Sequence, residues 1–293
     1  MTNRTCVDTQ GMTVSTLDPA SLHRATTDGS LELQYQPEVE LATGAIVAME
    51  GLLRWHHGAE LLQPGAFLDL AVRTGEMAAI GEWVLRCGAA EAATWSSLRG
   101  PVRQLWLNVD ADQLRDRAFA PLVAEVVTEN CLQGSALGLE VSERTVLDLG
   151  VDALPILVAL RDAGVALAVD DFTSFYATLG AIEALPVDAV KLGHRYVRGV
   201  GEPDHDDSLV AAVIDRAHER GLYVVAEGVE TWGEGVRLIE LGCDRAHGWL
   251  FASAQRADKA RWLLTQGTGW CGGILTPGTQ ARPFLATPTL RTA

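Results

Sequence analysis

The sequence predicts an α/β fold of the TIM-like (β/α)8 barrel type with an antiparallel first strand. Three observations carry this. About eight apolar, β-branched runs alternate with helical segments over a length close to the ~250 residues such barrels need. The first two runs are joined by Ala42-Thr43-Gly44, too short for a crossover, so they pair as an antiparallel hairpin. No G-x-G-x-x-G opens a helix, which weighs against an open doubly wound sheet built for a dinucleotide.

The elements follow in order. Residues 31–41 and 45–55 form the hairpin. Segments 67–74 and 80–96 have helical character, 104–109 is a strand and 119–130 a helix. Residues 137–141 make a strand, and the helix 151–163 ends at Gly164, which suits a left-handed stop. A strand over 165–169, a helix over 177–185 and a strand over 189–192 come next. The helix 207–220 ends at Gly221, the strand 222–226 follows, the helix 233–241 ends at Gly242, and 249–251 is the last strand. The strand runs are continuous rather than alternating, as expected when both faces are buried. The barrel domain spans 29–266. Residues 1–28, rich in Ser and Thr, and 267–293, with Gly, Pro and Thr, read as tails.

Composition narrows the function. The chain of 293 residues is 48% hydrophobic and 21% charged, ample for a core. Its formal net charge of -15 repels phosphates at long range, so neither DNA, RNA nor an anionic membrane is an expected partner. An anionic substrate would need bound cations to supply a positive field. Cys6, Cys87, Cys131, Cys243 and Cys271 are scattered, with no C-x-x-C pair; they read as reduced thiols of a cytoplasmic protein. No apolar run reaches membrane-span length, and the N-terminus lacks a signal-peptide pattern.

Polar residues recur where the expected strands end: Glu50, Asn108, Glu140 with Glu143, the pair Asp170-Asp171, Lys191, and Glu227 with Glu230. In a β/α barrel such positions share one mouth. A lone acid at a strand end is more often a helix cap, but six positions in register are not a set of caps. Glu50, Glu140 and Glu227 also lie inside apolar segments, where an unpaired carboxylate is costly. Converging carboxylates need cations, and all-oxygen ligands suit Mg²⁺ or Mn²⁺ better than zinc. An adjacent Asp-Asp can bridge two ions, and two ions ~3.5–4 Å apart clamp the attacking and leaving oxygens of a phosphodiester. Lys191 could orient a water and offset developing charge. His56-His57 and His205-Asp206-Asp207 read as solvated loop groups, and no G-x-S-x-G elbow appears.

Eight short strings stand in order: YQP at 35–37, EGLLRW at 50–55, LNV at 107–109, LEVSE at 139–143, DDF at 170–172, LPVDAVKL at 185–192, VVAEGVET at 224–231 and GWLF at 248–251. Together they resemble the EAL family of bacterial cyclic di-GMP phosphodiesterases, over about residues 29–256. The resemblance implies a barrel with an antiparallel first strand, two Mg²⁺ or Mn²⁺ ions, a homodimer, and hydrolysis of cyclic di-GMP to linear pGpG. It implies that Glu50, Asn108, Glu140 and Asp170 hold one ion and Asp170, Asp171 and Glu227 the other. Lys191 then positions the nucleophilic water, acting with Glu50 and Glu227. By the same likeness Gln36, Leu52 and Arg54 touch the ligand, Glu143 steadies the loop after the Asp pair, and Glu230 is an outer acid.

The chain departs from the family pattern at four places. Gly51 replaces the usual Ala. Thr173-Ser174-Phe175 replaces a loop with two glycines, which reach backbone angles that Thr and Phe reach at a cost. Gly193 stands where Asp is usual. His247 stands where Gln is usual, and can hydrogen-bond a ligand or serve the fold. Two functions follow: an active phosphodiesterase, or a catalytically weak or inactive domain acting as a cyclic di-GMP receptor or regulator of a partner protein.

Overall fold

A computed structural model describes residues 17–95, 98, 104–133, 135–172, 185–202 and 205–266. The strands are β1 (Leu31–Glu40), β2 (Ile46–His57), β3 (Glu60–Leu62), β4 (Gln104–Val109), β5 (Leu137–Ser142), β6 (Ala166–Phe172), β7 (Ala189–Leu192), β8 (Tyr223–Ala226) and β9 (Arg245–Ala246). Eight of them close into a barrel in the order β1-β9-β8-β7-β6-β5-β4-β2, with β2 returning to β1 and β3 appended to β2. β1 runs antiparallel to both its neighbours, and the pairs from β2 through β4 to β9 are parallel. This is the mixed barrel that the hairpin predicts.

Helices follow the strands and cover the outside. The helix Met77–Trp95 packs Ile80, Val84, Leu85, Ala89 and Ala92 inward, and the helix Ser208–His218 buries Val210, Val213, Ile214 and Ala217. Their spacing of three and four is the apolar stripe of a surface helix. Two short elements not expected from the sequence, Ala111–Arg115 and His194–Val197, begin just past strand ends. The first starts with a reciprocal Asp110–Gln113 capping box. A helix also forms at Pro19–Arg24, in the stretch read as a polar tail: Asp18 caps it, Pro19 opens it and Leu22 is fully buried.

Inside the barrel the strands alternate, and that alternation places the site. Ala48, Trp106, Ala166, Ala168 and Ala189, with Tyr223 against them, form a cluster separate from the outer core. Alanines leave room for one indole. Gly138, paired beside Trp106 on β5, completes the space, because a Cβ there would collide with the Trp106 ring. Below the indole, Arg245 lies 3.8 Å over the Tyr223 ring and 2.9 Å from Glu38 Oε1, while the Tyr223 hydroxyl donates to Gln104 Oε1 at 3.3 Å. These groups plug the lower end. Two residues further along each strand, the same inward face carries Glu50, Asn108, Glu140, Asp170 and Lys191.

The last strand departs from expectation. It is Arg245–Ala246, and 249–251 lie in a turn. The run Trp249-Leu250-Phe251 is apolar like a strand, but the Phe251 and Ala252 amides both return to the Gly248 carbonyl. Gly248, at φ 151°, presses its backbone against Val229, where no side chain fits. His56 and His57, read as loop residues, lie on β2, with His56 Nε2 3.0 Å from Glu32 Oε2. His205 and Asp207 are tied down as well: Asp207 pairs with both His205 and Arg237 at 2.8 and 2.7 Å. The helix expected over 177–185 lies outside the described residues except for Leu185, and the loop Thr173–Phe175 lies outside them entirely.

Candidate active site

Lys191 sits at the centre. It comes from β7, is fully buried, and its Nζ lies 2.5 Å from Glu140 Oε1, 3.4 Å from Glu50 Oε2 and 3.4 Å from Glu227 Oε1. One ammonium is thus shared by three carboxylates from β5, β2 and the end of β8. Burial alone would strip its proton, but the surrounding acids outweigh burial and hold its pKa well above the ordinary lysine value. Removing such a charge from water is tolerable only with partners this close.

The remaining groups converge around it. Asn108 Nδ2 donates to Glu50 Oε1 at 3.0 Å. His247 follows β9 and turns its Nε2 to within 3.2 Å of Glu227 Oε1 and 3.6 Å of Glu50 Oε2. Glu50, Glu227 and His247 bring ligand atoms within 4.8 Å of one another, a set that could hold a metal ion. Gln36 pairs across from Glu50 on β1, and its Nε2 donates to the Ala252 carbonyl at 3.1 Å. Leu52 and Arg54 follow Glu50 at intervals of two along β2 and so share its face. Arg54 is half-buried and its Nη1 donates to the Leu53 carbonyl at 2.9 Å.

The acids differ in charge state. Burial raises the Asp170 carboxyl, the charge on Glu227 adds to this, and its pKa reaches about 7. Burial raises Glu140 well above the ordinary range, and the partial relief from Lys191 does not reverse it. Glu227 is the opposite case. Burial pushes it up, but Lys191 and His247 together outweigh that and bring it to about 2. His247 is raised against its own burial, chiefly by its hydrogen bond to Glu227.

The donor set fits a hard divalent ion on one further ground. Asp170 Oδ1 and Glu140 Oε2 are buried without a hydrogen-bond donor among the described residues, whereas Glu140 Oε1 has the Lys191 ammonium at 2.5 Å. Unsatisfied carboxylate oxygens in a buried cluster are costly unless a cation meets them.

Not every residue singled out from sequence joins the cluster. Asp171 is at φ 48°, in the left-handed region, and its carboxylate turns toward Gly193, where a Cβ would collide with its Oδ1. Glu143 is buried at the start of the helix Glu143–Leu149. Glu230 is exposed, and its backbone N–H donates to Glu234 Oε2 at 2.9 Å. Glu234 was not singled out, yet it is buried and holds the segment leading away from Glu227. It accepts from the N–H groups of Glu230 and Thr231 with Oε2 and from Gly199 N–H with Oε1. The signal was available: Thr231 and Glu234 form a capping box.

Comparison with known proteins agrees with this geometry. The model of the EAL domain matches residues 20–254. The chain belongs to the EAL domain family. Among curated relatives of this EAL domain, an uncharacterized protein of Mycobacterium tuberculosis is 35% identical over 246 residues, covering 83% of the chain and 40% of that protein. A cyclic di-GMP phosphodiesterase of Pseudomonas aeruginosa is 32% identical, covering 81% of the chain and 40% of its own length. The chain therefore spans about 40% of the length of these relatives. Of solved structures, the MucR phosphodiesterase in complex with c-di-GMP superposes with a TM-score of 0.78 at 31% identity, covering 82% of this chain and 98% of that one. The EAL domain of Mycobacterium smegmatis DcpA has a TM-score of 0.69 at 33% identity, covering 81% and 99%. No helix among the described residues of this EAL domain is long and apolar enough to cross a membrane.

Proposed function

We propose that this EAL domain hydrolyses cyclic di-GMP to linear pGpG with the help of two divalent ions, Mg²⁺ or Mn²⁺. The observation that carries the reading is Lys191, a buried ammonium bound by Glu50, Glu140 and Glu227 beneath the open end of the barrel. A structural ion pair needs one acid; three acids, with Asp170 beside them, make a site that holds more positive charge than one lysine supplies. A relative that is a cyclic di-GMP phosphodiesterase and a similar structure in complex with c-di-GMP support this choice of substrate.

In this reading Glu50, Asn108, Glu140 and Asp170 hold one ion and Asp170, Asp171 and Glu227 the other. The ions would withdraw charge from the phosphate and favour ionisation of the attacking water. Lys191 favours the ionised form of Glu227, ties Glu50, Glu140 and Glu227 together, and donates toward that water. Gln36, Leu52 and Arg54 bind the nucleotide along the β1–β2 face, Arg54 by its charge. Glu143 steadies the segment after Asp171. The domain acts as a homodimer, which light scattering tests directly.

A second reading, a receptor without turnover, is favoured by one observation. Asp171, at φ 48°, brings its Oδ1 against Gly193, a strained placement for a ligand of the second ion. One experiment separates the two: purified protein with Mn²⁺ or Mg²⁺ and cyclic di-GMP, assayed for pGpG. Product whose release is lost in Glu50→Ala supports hydrolysis. Binding without product supports the receptor.

A further inference from the structure

We infer that His247 supplies a nitrogen donor to the divalent-ion site, so that this chain prefers Mn²⁺ or a later first-row ion over Mg²⁺. The inference rests on the metal-site reading above and adds to it the class of ion.

Three features support it. The first is position. His247 Nε2 and the oxygens of Glu50 and Glu227 lie within 4.8 Å of one another, close enough for one ion to meet all three. The second is rigidity. The His247 N–H donates to the Ala226 carbonyl and its own carbonyl accepts from Val229 N–H, both at 3.0 Å. The next residue, Gly248, is wedged on the Val229 backbone. The ring is therefore carried on a fixed backbone and does not belong to a loose loop. The third is the ring's own bonding. Of its two nitrogens, Nε2 is the one that faces candidate ligands, Glu227 Oε1 at 3.2 Å and Glu50 Oε2 at 3.6 Å; an ion there would take the place of the Nε2 proton. The side chain is nine-tenths buried.

The chemistry then sets the preference. Mg²⁺ takes oxygen ligands in strict octahedral geometry and gives up its waters reluctantly. Imidazole suits Mn²⁺ weakly and later first-row ions strongly, and affinity rises along that series. A glutamine at 247 offers an amide oxygen that Mg²⁺ accepts. A histidine replaces that oxygen with nitrogen and penalises Mg²⁺.

The test is pulsed EPR on the Mn²⁺-loaded protein, with calorimetric titration of Mn²⁺ and Mg²⁺. The wild type is expected to show nitrogen hyperfine coupling that vanishes in His247→Gln. That variant should lose about 10-fold or more in Mn²⁺ affinity while Mg²⁺ binding holds or improves. Coupling that persists in His247→Gln overturns the inference, as does a wild type with bound Mn²⁺ and no nitrogen coupling. The wild-type spectrum decides even where the variant misfolds. Nitrogen coupling without pGpG release leaves this inference standing and removes the hydrolase reading. Release without coupling does the reverse. Failure to bind either ion removes both.

Discussion

Lys191 and Glu140 face each other across β7 and β5, two strands apart, with Nζ 2.5 Å from Oε1, both side chains sealed from solvent. Glu140 has no other cation among the described residues at this distance, and Lys191 has Glu50 and Glu227 besides. The pair is thus unequal. Removing the lysine strands Glu140 and takes a cation from Glu50 and Glu227, whereas removing Glu140 leaves the lysine two partners.

Lys191→Met should therefore cost about 3–5 kcal/mol, the usual penalty for breaking a buried ion pair from one side. Glu140→Gln should cost less. Urea denaturation in the presence of a chelator measures both. Added Mn²⁺ should recover part of the Lys191→Met loss, and turnover should stay at least about 100-fold down in that variant.

The pH dependence of metal-free stability has a definite sign. Asp170 is raised from 3.8 to about 7. Its contribution is full at low pH and is lost as pH rises from about 4 through about 7. Glu227 is lowered from 4.5 to about 2; it contributes above pH 4.5 and is lost only below that, toward pH 2. Asp170, Glu140 and His247 are all raised and act in the same direction, so the chelated protein should melt at a lower temperature at pH 8 than at pH 5.5. Divalent ions need the deprotonated acid, so their stabilising effect should grow over the same window and oppose the trend. Thermal melts at several pH values with and without Mn²⁺ check it.

Arg54→Ala should raise KM for cyclic di-GMP by about 10-fold or more and change kcat less, because Arg54 lies along the strand beyond Glu50 and outside the acidic cluster. This is the signature of lost uniform binding. Steady-state kinetics, or ligand titration with Ca²⁺ in place of Mn²⁺, measures it.

Gly138→Val drives a side chain into the Trp106 indole. Overpacking of this kind costs about 1–3 kcal/mol or more. The expected result is a less stable barrel whose metal and nucleotide affinities also fall, since Glu140 is two residues away on the same face. Trp106→Ala alone should cost about 3–5 kcal/mol through the cavity it leaves.

Much of the site was legible because strand alternation is a local pattern. Glu50, Asn108, Glu140 and Lys191 each stand two residues beyond a small or apolar inward residue on the same strand, and the shared mouth follows from the fold. Three things were not legible. β9 is two residues long, too short to show a period, whereas the apolar 249–251 has the look of a strand and hides the reach of His247 to Glu50 and Glu227. The fit of Trp106 against Gly138 is steric complementarity across 32 positions and leaves no trace in composition. Asp171 takes a left-handed backbone with its carboxylate against Gly193, a pairing across 22 positions that no local pattern announces. Glu234 is legible from its capping box with Thr231, although Glu230 stands closer to Glu227 in sequence.

The plug made by Trp106, Tyr223, Arg245 and Glu38 has a consequence for traffic. The chamber is a blind well. A ligand that reaches Glu50 and Glu227 from the strand-end side would have to leave by the same side, with no through-flow. In the hydrolase reading proposed above, release of product past Arg54 would then limit turnover, and added pGpG should slow it.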